Sequence, residues 1–99
     1  MTHVARSRAE TTQAPGQIMV TIRYFAAARA AAGTESEKVG IPADTTIAEV
    51  IENLSRRDPK IASILRRCSF LCDGIAVRDP SAALSDGHTI DVLPPFAGG

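Results

Sequence analysis

Aromatic side chains are scarce in this 99-residue chain, at 4% of the total with no tryptophan. Apolar residues are nevertheless 44% of it, so the core must be built from Ile, Val, Leu and Ala. An excess of charge of either sign is also missing. Eleven Lys and Arg balance eleven Asp and Glu, a formal net charge of 0, which offers no one-signed field to hold a phosphate backbone and argues against nucleic-acid binding. No stretch approaches the roughly 18 apolar residues of a membrane span. The N-terminal run MTHVARSRAETTQAPGQ carries Arg6 and Arg8 but no apolar segment of a signal peptide, so a cytoplasmic location is expected.

Side chains arranged for catalysis are missing as well. There is no Ser-His-Asp or Cys-His pattern, no phosphate loop and no cluster of metal ligands, so neither a metal nor a bound cofactor is expected. Cys68 and Cys72 stand four apart without a second pair or a nearby histidine, a spacing of neither a zinc site nor a disulfide framework. They read as two reduced, partly buried small side chains. His3 and His88 have no evident partner and receive no role. Arg56, Arg57, Lys60, Arg66 and Arg67 could dock an acidic partner, although a solvated face is the simpler reading.

What is present is the patterning of one small domain. Residues 1–17 are polar and aperiodic, and are expected to form a disordered tail ahead of a domain over 18–99. In Ile18–Phe25, Ile18, Val20, Ile22 and Tyr24 share one face at period two, which predicts a strand with a single core face. AAARAAA, residues 26–32, predicts a short helix stopped by Gly33, and Thr34–Ile41 a second strand. Thr46-Ile47-Ala48-Glu49 matches a capping box ahead of a helix whose Ile47, Val50, Ile51 and Leu54 form one stripe. Asp58-Pro59 ends that helix and starts another with Ile61, Ile64 and Leu65 on its apolar face.

Asp73-Gly74 predicts a tight hairpin between 69–72 and 75–77, Ser85-Asp86-Gly87 a further turn, and His88–Leu93 a last strand with Ile90 and Val92 inward. Strand, strand, helix, hairpin, strand implies a mixed sheet over one main helix with short extra helices, an α+β layer of which the β-grasp is one option among several. The last strand leads directly into Pro94-Pro95-Phe96-Ala97-Gly98-Gly99. Prolines resist collapse onto the sheet, and glycines present backbone without side chains, so these residues could project and enter a narrow channel. From Phe96 onward they reach at most about 14 Å when extended. A carboxylate with a pKa near 3.5 is a poor electrophile, so it would need another protein to activate it.

Arg23-Tyr24-Phe25-Ala26 with Arg29 and Gly33, the helix beginning Thr46-Ile47, Asp73-Gly74, Leu84-Ser85-Asp86-Gly87 and the ending PPFAGG resemble the molybdopterin synthase small subunit family throughout residues 18–99. The resemblance implies a ubiquitin-like β-grasp and a sulfur carrier that is not catalytic alone. It implies that a ubiquitin-activating-like adenylyltransferase uses ATP to adenylate Gly99, which becomes a thiocarboxylate. It further implies that Pro94 to Gly98 insert into the large synthase subunit within a heterotetramer, where sulfur passes to the pterin precursor of the molybdenum cofactor. Phe96 is bulkier than the small or β-branched residue common in that family. Other functions stay open: a carrier for thiazole or cysteine synthesis, or a ubiquitin-like binding or modifier module. Phe25 and Leu93 lie out of phase with the core residues of their strands, and parallel pairing of the first and last strands would make them one partner-facing patch.

Overall fold

Alternation of apolar and polar residues produces the first element, strand β1 (Gln17–Tyr24), in which Val20, Ile22 and Tyr24 are all but inaccessible to solvent. The computed structural model describes residues 16–95. The expected tail over 1–17 lies outside the described residues up to position 15, and β1 begins one residue ahead of the expected Ile18 because Gln17 already pairs with Pro42.

Helix α1 (Ala26–Ala32) ends as expected at Gly33, which adopts φ 77 and returns its N–H to the Arg29 carbonyl. Strand β2 (Ser36–Pro42) starts two residues after the expected Thr34, because Thr34 and Glu35 are needed to reverse the chain. Glu35 still gives its carbonyl to the Tyr24 N–H at 2.8 Å. Helix α2 (Ile47–Arg57) carries the capping box: the Thr46 hydroxyl accepts from Glu49 N–H at 3.1 Å, and the Glu49 carboxylate accepts from Thr46 N–H at 2.9 Å. Asp58 caps helix α3 (Pro59–Leu65) by accepting from Lys60 N–H at 2.8 Å.

Strands β3 (Ser69–Cys72) and β4 (Ile75–Ala76) close on Asp73 and Gly74, whose φ values of 51 and 83 are those the dipeptide was expected to supply. Strand β5 (Thr89–Leu93) completes a five-stranded sheet in the order β2-β1-β5-β3-β4, with β1 and β5 parallel and the other pairs antiparallel. His88 stands just before β5 and is not partnerless: its Nδ1 accepts from Ser85 N–H at 3.0 Å, and its Nε2 is 3.8 Å from an Asp73 oxygen. That local bond escapes a reading based on strand period, since it belongs to the turn at Gly87.

Helix residues Ala28, Val50, Leu54, Ile61 and Leu65 share one buried cluster with Ile22, Ile90 and Val92, so the helices cover a single face of the sheet. A mixed sheet wrapped over one main helix is the ubiquitin-like β-grasp.

A polar clasp fastens the open side of this layer. The Tyr24 hydroxyl donates to Glu37 at 2.6 Å, and Arg57 at the end of α2 donates to both oxygens of the same carboxylate at 3.1 and 2.6 Å. Arg57 above all, then Tyr24, holds the Glu37 carboxyl below the usual carboxylate range although burial opposes this. The Tyr24 phenol is pushed above the usual tyrosine range, first by burial and then by Glu37. Because the folded pKa of Glu37 is depressed, the unfolded chain takes up its proton first. The clasp therefore stabilises fully above about pH 4.3 and fades as pH falls through the lower folded value. Glu37→Gln is expected to cost about 1 kcal/mol at neutral pH, and the gap between variant and parent should close as thermal melts are taken down towards pH 3. A gap that stayed constant with pH would rule out the ionised clasp.

Candidate functional site

Two neighbouring features occupy one end of the sheet: the root of the C-terminal residues and the sheet face turned away from the helices. Strand β5 is central, bonded to β1 on one side and β3 on the other, and its Ile90 and Val92 are 1% and 0% exposed. A strand held on both edges and by its own core side chains is a rigid platform. Its end is fastened by Phe25 N–H, which donates to the Val92 carbonyl at 3.2 Å, and by the register of Leu93 with Ser69. Pro94, half-buried, and Pro95, exposed, then end the pairing, since neither has an N–H to offer a ladder. Phe96, Ala97, Gly98 and Gly99, expected to carry the chemistry, lie outside the described residues.

The outer face is set by register. Tyr24 pairs with Val92 in parallel, so Phe25 and Leu93, one step further on, are neighbours facing away from the core cluster. Both are half-buried, and the structure thus brings together the two residues that the sequence reading grouped. Phe25 is held at the strand end by a sharp turn: Ala26 takes φ 50, a left-handed value that costs a residue with a Cβ about 1–2 kcal/mol, and Ala28 N–H returns to the Phe25 carbonyl at 2.9 Å. That strain lies where the chain leaves the extended Phe25 and enters α1.

Beside the patch is a pair that sequence reasoning missed. Arg23 and Asp91 are register partners on β1 and β5, joined by Nε to one carboxylate oxygen at 2.7 Å and by Nη2 to the other at 3.0 Å. Asp91 is only 6% exposed although no helix among the described residues covers this face. The Arg23 guanidinium carbon also lies 5.4 Å from the centre of the Phe25 ring.

The remaining candidates do not converge on this end. Arg56 is paired with Glu52 at 2.9 Å and Arg57 with Glu37, so the basic run is partly consumed within the chain. The Cys68 thiol donates to the Ile64 carbonyl at 3.2 Å, and burial pushes it up; burial and then Asp73 do the same for Cys72. Thiols raised in this way are weak nucleophiles at neutral pH. A groove of about 520 Å³ beside Asp44 and Glu49 lies near the Pro42–Gln17 end of the sheet, remote from the root of the C-terminal residues. Among the described residues no group of three His, Cys, Asp or Glu side chains could hold a metal ion, and no helix is long and apolar enough to cross a membrane.

Residues 22–99 match the model of the ThiS family. The chain belongs to that family. A curated relative, the molybdopterin synthase sulfur carrier subunit of Chlamydomonas reinhardtii, is 24% identical over 83 residues, covering 83% of this chain and all of the relative. Among solved structures, the Haloferax volcanii protein HVO 2177 matches with a TM-score of 0.76 at 29% identity, over 88% of this chain and 92% of that one. Small archaeal modifier protein 1 of the same organism matches with a TM-score of 0.71 at 20% identity, over 80% and 99%. In a complex of subunits 1 and 2 of molybdopterin-converting factor from Helicobacter pylori, the matching chain gives a TM-score of 0.60 at 24% identity, over 83% and 100%. The ThiS-family match takes in β5, both prolines and the four residues beyond them.

Proposed function

We propose that this chain is the sulfur-carrier subunit of a cytoplasmic molybdopterin synthase and works through the carboxyl group of Gly99. The observation that carries the reading is a central strand, fixed on both edges, that ends in two prolines directly before Phe96-Ala97-Gly98-Gly99. The Chlamydomonas relative supports it, as does the Helicobacter complex of subunits 1 and 2. In this reading an adenylyltransferase lets the Gly99 carboxylate attack the α-phosphate of ATP, with release of pyrophosphate. Sulfide-level sulfur then attacks the Gly99 acyl carbon and displaces AMP as the leaving group, and the large synthase subunit receives the resulting thiocarboxylate while holding the pterin precursor. The chain binds no cofactor of its own in this scheme. Incubation with the activating enzyme, ATP and a sulfur donor should raise the intact mass by the difference between sulfur and oxygen. An unchanged mass would sink the proposal.

Phe25 and Leu93 supply the apolar centre of the docking face in the same reading. Phe25→Asp is expected to weaken binding to the large subunit at least about tenfold while the melting temperature stays near that of the parent. Equal affinity in titration calorimetry would remove the patch from the interface.

The likeness to small archaeal modifier protein 1 favours a second reading, in which Gly99 is joined through an amide to lysines of other proteins. Tryptic mapping in cells expressing the tagged chain separates the two: lysines of other proteins bearing the fragment 79–99, which trypsin leaves after Arg78, support the amide, and their absence excludes it.

A further inference from the structure

The outer sheet face is not electrically neutral. Of the residues that β1 to β5 turn to this side, only Arg23, Lys38 and Asp91 are charged, two cations against one anion, and the anion is already taken. A guanidinium has five N–H donors. Arg23 gives two to Asp91, and no other acceptor is recorded for it among the described residues. Its side chain is 52% exposed, against 9% for that of Asp91, so the carboxylate serves as a buried anchor and the cation as the presented group. The anchor and the Phe25 ring hold the guanidinium in one place, which spares much of the conformational entropy that a free arginine loses when it binds.

We propose that Arg23, anchored by Asp91, is a specificity-determining contact of the docking face and receives an acidic side chain of the partner seated over Phe25 and Leu93. This rests on the carrier-subunit reading, with the large synthase subunit as that partner. A carboxylate set beside an apolar surface satisfies donors left on Arg23 and the excess positive charge of the face, whereas a purely apolar partner would desolvate a charged group without compensation. The planar fork matters as well as the charge, because two donors can meet two oxygens at once.

The test is the affinity of the full chain for the large subunit at several salt concentrations, with melting curves alongside. The double variant Arg23→Gln, Asp91→Asn keeps the net charge and a hydrogen-bonding pair but removes the cation. It is expected to bind at least tenfold more weakly than the parent, with a flatter dependence on salt and a similar melting temperature. Arg23→Lys retains the charge over Asp91 and loses the fork, so it should fall between the two and provides the test if the double variant does not fold. Parent-like affinity and salt dependence in the double variant, or in Arg23→Lys where the double variant does not fold, would overturn the proposal and leave the carrier reading standing. Failure of the parent itself to bind the large subunit would overturn both.

Discussion

Removing Gly99 is expected to yield a protein that melts like the parent and delivers no sulfur. The two halves of this expectation have separate physical causes. Stability resides in the cluster of Val20, Ile22, Ile90 and Val92 with the helices, and the ladder of β5 ends at Leu93, six residues before Gly99. Reactivity, in the proposed mechanism, resides in one carboxyl group that must arrive at two different active sites. Deletion of one residue draws that group back by about 3.5 Å, and an error of even about 1 Å at a reacting centre can cost a hundredfold in rate. The root cannot compensate, since β5 is bonded on both sides and cannot slide by one residue without turning Ile90 and Val92 out of the core. Gly98→Ala should fail at the same step with the same intact fold, because an added Cβ restricts the backbone and widens the chain. A reconstituted assay that follows product from the pterin precursor, run beside thermal melts, decides the matter. Full activity without Gly99 would take its carboxyl group out of the mechanism.

Much of this architecture was legible in the sequence because its signals are local. The capping box at Thr46 and Glu49, the stop at Gly33, the proline start after Asp58 and the Asp73-Gly74 hairpin each depend on residues within a few positions of one another. The grouping of Phe25 with Leu93 required one non-local assumption, the parallel pairing of first and last strands, and the register bears it out. What escaped was polar and distant. Arg23 and Asp91 are 68 positions apart, and Glu37 meets Arg57 across 20, so no periodicity could couple them. Charged residues at out-of-phase positions of two strands expected to pair in parallel were the available sign of the first. His88 is the opposite case: its partner Ser85 is only three residues away, and the contact belongs to the turn before β5 and not to the strand alternation.

The largest loss of stability should follow Ile22→Ala, at the point where the platform under the C-terminal residues is joined. Ile22 is 0% exposed and has Glu37 on one side and Ile90 on the other as its register partners, so its side chain packs at the seam between β1 and β5. Removing three carbons from a fully buried isoleucine costs the lost transfer free energy plus that of the cavity, together about 3–4 kcal/mol. The helices cannot close that gap cheaply, since Val50 and Leu54 are fixed on a capped helix that is also clasped through Arg57. For a domain of this size each kcal/mol corresponds to about 4–8 °C, which places the expected fall in melting temperature at about 12–32 °C. The loss is a large part of the roughly 5–15 kcal/mol available to such a domain, so sulfur transfer should fail on warming well before the parent does. Ile75→Ala makes the matched control, because that isoleucine is 73% exposed at the hairpin and its truncation should change stability by no more than about 0.5 kcal/mol. Urea titrations of both variants supply the comparison, and similar midpoints for the two would mean that the core does not lie where β1 meets β5.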